Sequence, residues 1–142
     1  MNHNRVGLGT FPLANVFSEI TRDGSKNIVR KFIENGGYYI DTAPMYGFGE
    51  VENLLGETLS LFPREKYYLV TKCGYVDVEG KTFQTIQKSG KYDDVIRECD
   101  KSLRRLKTDY TQLFFNFVDI LHTYPRRSHP KSSLIDPKRI NL

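Results

Sequence analysis

Short apolar runs alternate with helical stripes along this chain, at a spacing that leaves few folds open. Residues 5–10, 38–40, 67–71 and 113–121 read as strands, and the segments between them read mainly as helices. Alternation of this kind gives parallel strands joined by right-handed crossovers. Two α/β architectures satisfy it: a doubly wound sheet, or the first three to four units of a (β/α)8 barrel. Both bring successive strand ends to one face, where such folds keep their chemistry.

The helices carry their own signals. Asp23 is placed to cap a helix over residues 24–35, with Ile28, Val29, Phe32 and Ile33 as its apolar face. Gly36 and Gly37 stop it. Glu50 opens a second helix, with Val51, Leu54, Leu55, Thr58 and Leu59 as its buried stripe. Glu50 and Glu52 suit the positive end of that helix. A third helix over residues 92–106 has Asp93 and Asp94 at its start, and Arg104, Arg105 and Lys107 at its end, again matching the dipole. Val95, Cys99, Leu103 and Leu106 face its core side, so Cys99 reads as core rather than nucleophile. Residues 75–91 read as a long polar loop of the sort that covers a cleft.

Composition narrows the class. At 142 residues and 39% hydrophobic content, the chain suits one domain with a real core. The net charge of +4 lies in the tail, where Arg126, Arg127, Lys131, Lys138 and Arg139 face one acid, Asp136. Residues 1–125 are therefore formally neutral, which argues against a nucleic-acid-binding face. Residues 122–142 read as an irregular, solvated basic tail after a domain over 1–121. No apolar stretch is long enough to cross a membrane, and the N-terminus lacks a signal-peptide core. Cys73 and Cys99 fit no metal-ligand spacing, so no metal is expected and a reducing cytosol is the default.

The chemistry gathers at three strand-end positions. Asp41 follows the second strand, Tyr46 lies five residues on, and Lys72 follows the third strand. A phenol is a weak acid, with an unperturbed pKa near ~10. An adjacent ammonium favours the phenolate, and a carboxylate keeps that ammonium charged. The trio is a workable proton donor to a carbonyl oxygen. Hydride must then come from a nicotinamide or flavin, because no side chain supplies it. The plainer alternative is a turn aspartate, a loop tyrosine and a surface lysine.

Gly-Leu-Gly-Thr at residues 7–10, Tyr-Ile-Asp-Thr-Ala-Pro-Met-Tyr-Gly-Phe-Gly-Glu-Val-Glu at 39–52, Leu-Val-Thr-Lys at 69–72 and Lys-Ser-Leu-Arg-Arg-Leu-Lys-Thr-Asp-Tyr at 101–110 resemble the aldo-keto reductases. The resemblance runs from about Val6 to Tyr110. It implies a TIM barrel, here a partial one, and NADPH-dependent reduction of a small carbonyl compound in the cytoplasm. Tyr46 would be the general acid, Lys72 would assist it, and Asp41 would hold Lys72. Gly9, Thr10 and Asp41 would stand near the nicotinamide. The family's fourth residue is a histidine, seven positions past the tyrosine of the Asp-Tyr pair; here that count gives Phe117. His122, five residues further, reads as the end of an apolar run. The resemblance ceases after Tyr110, as a frame disruption or a mis-joined exon would produce. Coding DNA in which no shifted frame restores family-like sequence would refute that. A whole barrel takes ~250 residues. The expectations are therefore an impaired reductase that self-associates through open strand edges or, in a different class, a catalytically silent interaction module.

Overall fold

The computed structural model describes residues 6–116. Four strands form one parallel sheet: β1 (Gly7–Gly9), β2 (Tyr39–Asp41), β3 (Tyr68–Cys73) and β6 (Leu113–Asn116). They add in chain order, with β2 between β1 and β3 and β6 outside β3. The helices α1 (Arg22–Glu34), α2 (Glu50–Leu59) and α3 (Tyr92–Leu106) pack side by side, α1 on α2 and α2 on α3. A doubly wound sheet reverses its strand order and takes helices on both faces. This arrangement does neither, so the barrel-type architecture is the one adopted.

The core lies between sheet and helices. Ile40 and Leu69 from the sheet meet Val29 of α1 and Leu55 and Leu59 of α2, all fully buried. Each such side chain contributes roughly 1.5–3 kcal/mol. Cys73, Cys99 and Phe114 form a smaller cluster beneath α3, which places Cys99 in the core as its helical spacing predicts. Alternation along the strands sends Tyr39, Asp41, Tyr68, Lys72 and Phe115 to the opposite, open face. Tyr39 stacks on Tyr68 there, with ring centroids 5.5 Å apart.

Three local expectations change. Thr21, not Asp23, caps α1: its hydroxyl accepts the Gly24 N–H at 3.1 Å. A cap needs non-helical backbone, and Thr21 is extended while Asp23 already lies in the first turn. Lys72 does not end its strand, because β3 pairs with β6 as far as Cys73↔Asn116. The segment read as a loop contains a short antiparallel hairpin, β4 (Tyr75–Val76) with β5 (Gln87–Lys88), too brief to show as a run. Glu52 and Arg105 lie in the first turn of α2 and the last turn of α3, as the dipole pattern predicts, but do more than face the dipole. They are buried, at 0% and 8% exposure, and paired with each other. The glycine stop after α1 holds: Gly36 takes φ 81°, and a Cβ on Gly37 would lie 2.5 Å from the Phe32 carbonyl oxygen.

Candidate functional site

Asp41 stands opposite Val70 in the β2–β3 register, and Lys72 lies two residues beyond Val70. Two residues is one full period of a strand, so both side chains share the open face. Lys72 Nζ lies 2.7 and 2.8 Å from the two Asp41 carboxylate oxygens, 2.9 Å from the Thr42 carbonyl and 3.1 Å from the Tyr46 hydroxyl. The side chains of Lys72 and Asp41 are 12% and 30% exposed, which leaves the cluster shielded but reachable.

Tyr46 is set by its turn. It opens the tight turn Tyr46–Gly49 that leads into α2, in which Gly47 and Phe48 take left-handed backbone, and its N–H donates to the Ala43 carbonyl at 3.0 Å. Gly49, at φ 96°, makes the left-handed step that begins the helix. Phe11 packs on the Tyr46 ring at 5.1 Å between centroids, and Lys72 Nζ lies 4.9 Å from the ring centre. An ammonium has only donors. In its contact with Lys72 the phenol oxygen therefore accepts, and its own O–H stays available to donate elsewhere.

The β1 residues play two parts. Gly9 pairs with Asp41, and a Cβ built there would meet nothing within 4 Å, so the space beside the site is open. Thr10 is fully buried; its N–H and hydroxyl donate to the Asp41 carbonyl at 3.0 and 2.9 Å. Thr10 thus reaches the site through Asp41. The Thr42 hydroxyl oxygen is buried and has no hydrogen-bond partner. Tyr39 also stands beside Asp41, and its partial burial, followed by the Asp41 carboxylate, holds its phenol above the ordinary value.

The structure brings together Asp41, Tyr46, Lys72 and the neighbouring Gly9 and Thr10. Sequence reasoning missed Thr42, whose carbonyl helps hold Lys72, and Phe11, which backs the phenol. Thr42 lay inside the central motif and was within reach. Phe11 carried no signal, because nothing in its spacing links it to Tyr46. Phe117, His122 and the basic tail lie outside the described residues. Among the described residues no cluster of three metal-ligating side chains occurs, and no helix is long and apolar enough to cross a membrane.

Residues 5–123 match the family model described as Aldo/keto reductase family. That match passes beyond Tyr110, against the expectation that the resemblance ceases there, and includes the stretch holding Phe117 and His122. L-galactose dehydrogenase of Arabidopsis thaliana is 36% identical over 121 residues, covering 84% of this chain and 33% of that protein. The NADH-specific methylglyoxal reductase of Escherichia coli (strain K12) is 30% identical over 120 residues, covering 78% of this chain and 37% of that protein. Among solved structures, an aldo-keto reductase from Klebsiella pneumoniae in complex with NADPH superposes with a TM-score of 0.57 at 28% identity. It covers 76% of this chain and 33% of that one. The chain thus spans about a third of the length of these relatives.

Proposed function

The chain belongs to the aldo/keto reductase family, and on that premise we propose that its site reduces a small carbonyl compound to an alcohol with a nicotinamide cofactor, NADPH by preference. The observation that carries the proposal is the Lys72 contact to the Tyr46 hydroxyl at 3.1 Å, made by an ammonium that Asp41 already grips with both oxygens. Tyr46 holds the proton that a substrate oxygen needs. Lys72 stabilises the phenolate left behind. Asp41 and the Thr42 carbonyl fix Lys72, and Thr10 fixes Asp41. The open space at Gly9 fits a ring lying over this face. Gly9, Thr10 and Asp41 would hold the nicotinamide end, and the bound nicotinamide supplies the hydride.

The test uses the isolated chain with NADPH, then NADH, and a reactive aldehyde, beside a Tyr46→Phe control. Saturable cofactor binding and slow turnover that Tyr46→Phe abolishes are expected. Slow turnover follows from length: remote parts of a cofactor supply binding energy that positions its reacting end, and this chain covers a third of its relatives. Turnover surviving Tyr46→Phe, or no saturable binding of either nucleotide, would overturn the proposal. Tighter binding of NADH would overturn only the cofactor preference. Free Cys73 and Cys99 suit a reducing compartment, the cytosol. Exposed Tyr39 and Phe115 on the open face support self-association, which a sharp monomer in sedimentation would contradict.

A further inference from the structure

A second carboxylate–cation pair lies directly behind the site. Glu52 is fully buried in α2, and Arg105 of α3 is 8% exposed. Arg105 Nε donates to Glu52 Oε2 at 2.7 Å, and the Thr71 hydroxyl donates to Glu52 Oε1 at 2.6 Å. Arg105 also donates to the Ser102 hydroxyl at 3.1 Å and to Glu79 in the segment between β4 and β5. Its stem runs under the Tyr46 turn: a Cβ on Gly49 would lie 3.1 Å from Arg105 Cδ.

These contacts close a circuit. Tyr46 leads through its turn into the first residues of α2, where Glu52 sits. Glu52 binds Thr71, Thr71 is bonded covalently to Lys72, and Lys72 returns to the Tyr46 hydroxyl. The distance between the ammonium and the phenol is therefore fixed from both sides of the sheet. Burial pushes the Glu52 carboxyl above its usual range, and the Arg105 guanidinium is the largest influence opposing this. Without Arg105 the carboxylate would not be held as an acceptor at that depth.

We propose that Glu52 and Arg105 are positioning residues, which act through Thr71 to set the Lys72–Tyr46 contact. They touch no substrate. The proposal rests on the reductase reading for its kinetic consequence but not for its structural one. The decisive pair of variants is Thr71→Val, which keeps the shape and removes the hydroxyl, and Thr71→Ser, which keeps the hydroxyl. Glu52→Gln is a third.

Two readouts are taken on the full chain. One is the through-space NMR contact between the Lys72 Hε protons and the Tyr46 ring. The other is aldehyde reduction with NADPH, separated into kcat and KM. In folded Thr71→Val the NMR contact should weaken, and kcat should fall roughly 10- to 100-fold with KM little changed. Thr71→Ser should recover both. A purely stabilising role would lower the melting temperature and move neither readout in the folded protein, and that result overturns the proposal. If Glu52→Gln fails to fold, the Thr71 pair decides. If the unaltered chain shows no turnover, that result counts against the reductase reading, and the NMR contact alone judges the positioning role.

Discussion

The two faces of β3 carry the same chemical pair in opposite settings. On the open face Lys72 meets Asp41, at 12% and 30% side-chain exposure; on the helix face Arg105 meets Glu52, at 8% and 0%. Their shortest contacts are equal, 2.7 Å in each pair. The difference lies in what else each cation touches. Arg105 donates to Glu52, Glu79 and a serine hydroxyl, all within the fold. Lys72 donates to a phenol whose own proton is left available. A sealed pair can only hold elements together, whereas a pair that ends on an acid at the surface can move a proton. Pair geometry alone therefore does not separate structure from chemistry; the third partner does.

The largest expected effect falls on the open face. Lys72→Met should lower NADPH-dependent aldehyde reduction by ~10²–10⁴-fold, the usual worth of an assisted general acid. Its unfolding free energy should change far less. An equal loss of fold and activity would erase the distinction between the faces.

Arg105→Ala should do the reverse. It leaves Glu52 buried without its cation, which costs about 3–5 kcal/mol in denaturant unfolding. Replacing both partners with apolar residues, Glu52→Leu with Arg105→Met, should recover most of that loss. If the double variant is as unstable as the single one, the carboxylate is not the source of the cost.

A milder change sharpens the packing side of the comparison. A Cβ on Gly56 would lie 2.2 Å from the Arg105 carbonyl oxygen and 2.8 Å from the Leu106 carbonyl carbon. Backbone cannot yield as a side-chain tip can, so Gly56→Ala should push α2 off α3 and cost about 1–3 kcal/mol. A thermal melt equal to the parent's would show that the two helices slide freely.

The smallest effect concerns an exposed contact. Lys26 first, and then Arg22, hydrogen-bond Glu57 and hold its carboxyl below the ordinary value. A depressed carboxyl contributes stability above its unfolded value, and that contribution is lost as pH falls through the folded value. Glu57→Gln should therefore lower stability slightly at neutral pH, leave the acid end unchanged and so flatten the acid limb between them. An unaltered acid limb would place the acid sensitivity elsewhere.

Much of the open-face site was legible in the sequence. Asp41 and Tyr46 belong to one continuous motif, and Lys72 lies near the end of the strand run that follows it. Parallel alternation then brings such positions together without further information. The fold class followed from the same alternation, although the choice between barrel-type and doubly wound order did not. Strand order depends on which edges pair, and no local pattern encodes that.

The Glu52–Arg105 pair shows what the sequence left open. Both residues sit at the helix ends that the dipole rule predicts, so charge pattern gave a correct but incomplete account of them. They stand 53 positions apart, and only the packing of α2 on α3 brings them within 2.7 Å. The sequence by itself determined the alternation of elements, the apolar stripes and the Asp41–Tyr46 motif, because each rests on short-range spacing. The tertiary structure decided the strand order, the burial of Glu52 and Arg105, and the backing of Tyr46 by Phe11. Burial and long-range contact belong to packed elements, and no single segment carries them.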